Sequence, residues 1–304
     1  MNRRQSLGGG ARGFSPLKGK KLTHLQADQN NVIMSNKLNK SGVSMKKSAT
    51  RIDILEKNVG TFSPTKSKTA FTLAEVLITL GIIGVVAAMT LPALVQRQQE
   101  KAAAVKLKKA YSVISNAFNL AKNEHGNFSD WFGDTSSVSE YSQRFAKTLI
   151  PYMNVSKNCG FNSGCLPGGN VKGLTGAGHY DYDSSNVEYK VILNDGTALS
   201  FYVLSPSCEG TETIKCGNIK VNVGGKKKAY FWGKDFFLLN IYPDKVVPAG
   251  LPDDTGWAFP RLCDLNSQSQ YNGIACSAWV IFNENMDYLH CTDLSWSGKT
   301  KCSK

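Results

Sequence analysis

The stretch that decides the fold is KTAFTLAEVLITLGIIGVVAAMTLPALV, Lys68–Val95. From Thr69 to Gln96 it carries one charged side chain, Glu75, and residues 76–95 carry none. About twenty consecutive apolar residues are enough for an α-helix to cross the hydrocarbon core of a bilayer. An ionised carboxylate is unfavourable in hydrocarbon, so the presence of Glu75 at the start of such a helix calls for a partner or a function.

The residues before this stretch are strongly basic. Residues 1–70 hold 14 of the 36 Lys and Arg but only 3 of the 23 Asp and Glu, and they are rich in Ser, Lys, Asn and Gly. This composition predicts a disordered leader, which begins at Met1 or at Met45, where MKKSATR is typical of an export leader. The rest of the chain is close to neutral, so the net charge of +13 does not indicate a nucleic-acid-binding domain.

The charge and cysteine distributions predict a membrane topology. Because Lys and Arg precede the apolar stretch, the positive-inside rule leaves the N-terminus in the cytoplasm and sends residues beyond about 96 outward. All eight cysteines lie between Cys159 and Cys302, and an even number there indicates disulfides in an oxidising compartment. The alternatives are reduced, buried thiols in a cytosolic protein, and a signal peptide cleaved after Val86-Ala87-Ala88. The apolar run continues past that site, which favours a retained span.

A helical pattern continues beyond the apolar stretch. Apolar residues recur at spacings of three, four and seven, which places them on one face of a helix. This stripe consists of Leu94, Ala103, Leu107, Ala110, Ile114, Ala117, Phe118 and Ala121. We therefore predict one nearly continuous helix over 72–124, with a membrane-spanning segment at 71–95 and an amphipathic half at 96–124. Pro92 predicts a kink where the two halves meet, because it removes one helical hydrogen bond.

Residues 125–304 are expected to form a globular head. Asp195-Gly196 between two alternating apolar runs predicts a β-hairpin over 187–205. Further predicted elements are a helix over 138–153, a Gly-rich loop over 165–185, a hairpin over 218–232, and strands over 235–242 and 277–289. The expected fold class is α+β: a long N-terminal helix packed on a small antiparallel sheet, with loops stapled by disulfides.

The apolar stretch also contains a specific pattern. Ala70 is followed by Phe71-Thr72-Leu73-Ala74-Glu75 and by an apolar run with Pro92 near its end. This pattern resembles the class III signal of type IV prepilins and type II secretion pseudopilins. The resemblance implies that a prepilin peptidase cuts between Ala70 and Phe71 and N-methylates Phe71. Ala70 stands where the family usually has Gly.

The resemblance also implies a role for Glu75 in assembly. Cleavage would create an α-amine at Phe71, whose ordinary pKa is about 7.7–8.0. In a filament with side-by-side helices, the Phe71 amine of a neighbouring subunit would pair with Glu75. A buried charge without a partner is strongly destabilising, so this pairing would fix the register between subunits. The other interpretation is that Glu75 merely marks the membrane interface.

The function implied by the resemblance is that of a pilin or pseudopilin, a structural subunit that polymerises into a type IV pilus or type II secretion pseudopilus. The chain would first reside in the bacterial inner membrane as a single-pass protein with its head outside, and then in a filament. Implied partners are further copies, other pilins or pseudopilins, the prepilin peptidase and the inner-membrane assembly platform. Nucleic acid is not expected, although DNA-uptake filaments share this N-terminus.

The alternative function is a membrane-tethered or secreted enzyme or binding domain whose leader only resembles a prepilin. The four histidines, His24, His125, His179 and His290, are scattered without metal-ligand spacing. The sequence contains no G-x-S-x-G elbow, and its SGKT at 297–300 lacks the first glycine of a P-loop. We therefore expect a non-enzymatic protein without a cofactor.

Two further expectations concern the head. Eight cysteines allow 105 connectivities, and we predict pairs that are close in sequence. The predicted pairs are Cys159–Cys165, Cys208–Cys216, Cys263–Cys276 and Cys291–Cys302. Asp181 and Asp183, and Asp253 and Asp254, are weak candidates for Ca²⁺ ligands, because neither pair has the full ligand series of a known loop. Solvated turns are the expected state of both.

Overall fold

The computed structural model describes residues 72–169, 171–178, 180–208, 215–225 and 230–303. The leader over 1–70 and the predicted cleavage site at Ala70 and Phe71 lie outside these ranges. The long helix, α1, extends over Leu73–His125 and contains 53 residues, in agreement with the prediction. It ends at Gly126, which has a φ of +79° and whose N–H donates to the Lys122 carbonyl.

The elements after α1 form the head, which combines helices and short strands. The helices are α2 (Val138–Leu149), α3 (Phe259–Leu262) and α4 (Ser277–Asn283), with 3₁₀ turns at Phe128–Trp131, Ile150–Tyr152, Ile274–Cys276 and Asp287–Leu289. The strands are β1 (Val155–Gly160), β2 (Val171–Lys172), β3 (Tyr189–Leu193), β4 (Ala198–Val203), β5 (Gly217–Asn222), β6 (Tyr230–Phe231), β7 (Phe236–Ile241) and β8 (Val246–Pro248). This arrangement confirms the predicted α+β class.

Six of the strands form one antiparallel sheet in the order β1-β3-β4-β5-β7-β8. The predicted hairpin at Asp195-Gly196 is its β3–β4 connection, where Gly196 has a φ of +81°. Strands β2 and β6 form a separate parallel pair.

Both faces of the six-stranded sheet are buried, and β7 illustrates this best. Phe237, Leu239 and Ile241 belong to the large core that contains α1 and α2. Phe236 and Leu238 point to the opposite face, into a smaller core with Trp232 and Tyr230. A strand buried on both faces reads as a continuous apolar run, which is why FFLLNI shows no alternation.

Two predicted elements are wrong. The chain does not form a hairpin over 218–232, because β5 pairs with β7, while β6 pairs with β2. Gly224-Gly225 has the composition of a hairpin turn, but Tyr230 and Trp232 are buried in the smaller core instead of continuing the sheet. Residues 277–289 form α4 and a 3₁₀ turn instead of a strand.

The reason for the second error is that residues 277–281 are all buried. A short apolar run that is buried on every side has no periodicity that distinguishes a helix from a strand. The hydroxyl of Ser277 accepts a hydrogen bond from the Leu238 N–H at 2.9 Å and thereby ties α4 to β7.

Four disulfides staple the loops of the head, and they are the four pairs proposed from the sequence. They join Cys159 to Cys165, Cys208 to Cys216, Cys263 to Cys276 and Cys291 to Cys302. The last of these fastens the C-terminal segment beside the 3₁₀ turn at Asp287–Leu289. In addition, the Asp287 carboxylate accepts a hydrogen bond from the Cys302 N–H at 2.8 Å.

Candidate functional site

The first part of α1 presents apolar side chains on all sides. None of residues 73–95 is buried, and the exposed fraction reaches 81% for Leu73 and 76% for Met89. Among the described residues, α1 is the one helix long and apolar enough to cross a membrane. The core helix of a soluble protein would be mostly buried, and this segment is not. The geometry is therefore that of a segment suited to lipid or to other helices.

Glu75 lies at the N-terminus of α1 and closes a capping box with Thr72. The Thr72 hydroxyl accepts a hydrogen bond from the Glu75 N–H at 3.2 Å. The Glu75 carboxylate in turn accepts hydrogen bonds from the Thr72 N–H and the Thr72 hydroxyl, both at 2.9 Å. This reciprocal arrangement satisfies two backbone donors that the first helical turn leaves free. The sequence signal, Thr-x-x-Glu before an apolar run, was present, but our interpretation of Glu75 did not use it.

The two threonines within the apolar segment are also satisfied locally. The Thr79 hydroxyl donates to the Val76 carbonyl, and the Thr90 hydroxyl donates to the Val86 carbonyl, both at 3.0 Å. Such bonds remove the need for water, which suits a helix in an apolar environment. Pro92 lies inside α1, and the helix continues for more than 30 residues beyond it.

The second part of α1 packs on the head through one face. Its buried residues are Ala104, Leu107, Ala110, Ile114, Ala117, Phe118 and Ala121. This is the predicted stripe with a later start, since Leu94 is 56% exposed. Four of the seven are alanines, whose short side chains let the helix approach the sheet closely. At the far end, Phe118 packs among the rings of Phe128, Trp131 and Phe145.

Ion pairs border this packed face. Glu100 accepts from the His290 ring at 2.9 Å, and the Lys109 ammonium lies 2.9 Å from the Asp195 carboxylate. Lys108 pairs with Glu284, which follows α4. These pairs are largely exposed, so they orient the helix more than they stabilise it.

The Ca²⁺ candidate Asp254 has a different role. Its carboxylate accepts hydrogen bonds from the Lys215 ammonium at 2.7 Å, the Trp257 N–H at 2.9 Å and the Asn240 amide at 3.1 Å. Burial raises the pKa of Asp254, but the hydrogen bonds from Lys215 and the backbone outweigh it, and the pKa lies below its usual value. Asp254 is therefore a buried ion-pair partner, and its neighbour Asp253 is exposed.

The other candidate pair is also used locally. The Asp183 carboxylate accepts hydrogen bonds from the N–H groups of Gly164, Cys165 and Leu166. Asp181 accepts from the Asp183 N–H at 3.0 Å. No group of three or more His, Cys, Asp or Glu side chains with metal-binding geometry occurs in the part of the chain that the structure describes. Both pairs thus order loops of the head.

Comparison with known proteins identifies the region from the second part of α1 to β8. The model of a family of unknown function, DUF6613, matches residues 93–249, which is about half of the chain. The chain belongs to this family. No curated protein and no solved structure matches it. The matched region begins after Pro92, so the exposed apolar part of α1 lies outside it.

Proposed function

We propose that this chain is a pilin-like structural subunit, which a prepilin peptidase cuts between Ala70 and Phe71 and which then polymerises into a cell-envelope filament. The observation that carries the proposal is the division of α1 into a fully exposed apolar segment and a segment docked on a disulfide-stapled head. A helix that is apolar all round needs lipid before assembly and other helices after it. The position of Glu75, four residues after Phe71, supports the resemblance to prepilins.

The capping box sharpens the test of this proposal, because it gives Glu75 a second role. Glu75→Gln keeps an oxygen that accepts from Thr72 but removes the charge. Thr72→Ala keeps the charge but removes the hydroxyl that caps the helix. Glu75→Leu removes both. If the carboxylate pairs with the Phe71 amine of a neighbouring subunit, Glu75→Gln and Glu75→Leu assemble poorly, whereas Thr72→Ala assembles nearly as well as the wild type.

The assay compares membrane insertion and leader cleavage with filament yield after shearing. All three variants should enter the membrane and be cleaved normally, since none adds a charge to the apolar segment. A filament yield that is reduced in Thr72→Ala and Glu75→Leu but normal in Glu75→Gln would assign Glu75 to helix capping alone. Absence of any filament or pseudopilus that contains the wild-type chain would refute the proposed function itself.

A further inference from the structure

The head reaches α1 at the point where the apolar segment ends, and cavities flank the helix there. One cavity, of about 360 Å³, is lined by Arg97, Lys101 and Ala104 of α1 and by His290, Lys301 and Cys302 of the C-terminal region. A second cavity, of about 550 Å³, lies along Gln96 and Gln99 and includes Lys234. Three or four cations therefore surround the first turns beyond the uncharged segment.

The acidic side chains of the smaller cavity are already engaged. Glu100 pairs with His290, Glu284 pairs with Lys108, and the Asp287 carboxylate accepts from the Cys302 N–H. By contrast, Arg97, Lys101 and Lys301 have no carboxylate within ion-pair distance among the described residues. The cavity thus has an uncompensated positive charge.

The position of these cations along α1 matches the headgroup layer of a bilayer. With a rise of about 1.5 Å per residue, Arg97 lies about 3 Å and Lys101 about 9 Å beyond Val95. The headgroup layer on each side of the hydrocarbon core is about 5–8 Å thick. Arg97 therefore lies within that layer and Lys101 at its outer edge. Lys301 is held at the same cavity because the next residue, Cys302, is bonded to Cys291.

We infer that the cavity formed by Arg97, Lys101 and Lys301 binds the phosphate of an anionic phospholipid in the leaflet from which α1 emerges. This inference rests on the proposed function, because it needs α1 in a membrane. Arginine binds phosphate with two parallel hydrogen bonds, and lysine adds a mobile point charge. Basic pockets beside membrane helices bind anionic headgroups by this chemistry. The bound lipid would hold the head against the membrane before the subunit is extracted.

The test uses the full chain reconstituted in vesicles of phosphatidylcholine, with or without phosphatidylglycerol, and measures hydrogen exchange of residues 285–303. We expect phosphatidylglycerol to slow exchange in this segment. Each cation near a membrane surface contributes about fivefold in affinity, so Arg97→Gln/Lys101→Gln should weaken the response to phosphatidylglycerol about 25-fold. Lys301→Gln should weaken it about fivefold.

The matched control is Lys106→Gln/Lys147→Gln, which removes two exposed cations that line neither cavity. The basic leader is common to all variants, so differences between them report on the cavity. Equal loss in the control, an equal response to phosphatidylcholine, or full protection by inorganic phosphate without lipid would each overturn the inference. Carbonate extraction separates the two proposals: failure of α1 to insert refutes both, whereas insertion without a lipid-dependent response refutes the lipid site alone.

Discussion

Replacing Phe118 by Ala should strongly destabilise the head, because this side chain joins α1 to the core. Phe118 has no solvent-exposed surface. Its ring lies 5.2 Å from Trp131, 6.2 Å from Phe128 and 6.4 Å from Phe145, measured between centroids. The substitution leaves a cavity that these large rings cannot fill without moving.

The size of the effect follows from burial. Phe→Ala in a packed core lowers the free energy of unfolding by about 3–5 kcal/mol. For a folded unit of this size, each kcal/mol lowers Tm by about 2–4 °C, so we expect a decrease of about 6–20 °C. Leu120→Ala is the control, since Leu120 is two residues further along α1 and is 50% exposed. Its effect should stay within about 2 °C.

The assay is thermal unfolding of the full chain in detergent, followed by near-ultraviolet circular dichroism. Peptide mapping under non-reducing conditions would verify that both variants retain the four disulfides. Equal decreases in Tm for Phe118→Ala and Leu120→Ala would refute the assignment of this face of α1 to the core. The amphipathic half would then not be the part of the helix that carries the head.

Three further outcomes are expected. Mass spectrometry of the envelope-associated protein should give N-methyl-Phe71 as first residue, and Ala70→Leu should block cleavage; an N-terminus within the apolar segment would indicate signal peptidase instead. Replacing Cys291 and Cys302 by Ser should lower the free energy of unfolding by about 3 kcal/mol, as estimated for a loop with a sequence separation of 11 and measured by denaturant titration. Because the pKa of Asp254 is lowered, its stabilisation is complete above about pH 3.9 and is lost at lower pH, so Asp254→Asn should flatten that part of a Tm–pH profile.

Features that depend on local sequence were predictable. Helix α1 follows from a long apolar run joined to a stripe of period 3.6, and neither pattern needs tertiary information. The β3–β4 hairpin follows from Asp195-Gly196, which tolerates the backbone angles of a tight turn. Short loops closed by neighbouring cysteines likewise depend on chain proximity, and so the four pairs proposed from the sequence are present.

Features that depend on competition between distant segments were not predictable. The sequence before β6 suggests a return to β5, but β7 occupies that edge and β6 joins β2. The cations around the exit of α1 were also missed. Arg97 and Lys301 are about 200 residues apart in sequence, and only the fold brings them to one cavity. Aspartates such as Asp254 suggested Ca²⁺ because their basic and amide partners are equally distant in sequence.

The two parts of α1 make separate demands on the sequence, and this separation explains the pattern of similarity. The docked part must match the sheet, so its residues and the head are matched as one unit over 93–249. The exposed part contacts no head residue that would constrain it beyond being apolar, helical and capped at Thr72 and Glu75. A charged residue at this capped end is tolerable in a membrane, where headgroups and water lie close by. In a packed filament the same carboxylate needs a partner, and the variants that separate its charge from its capping role decide between these two states.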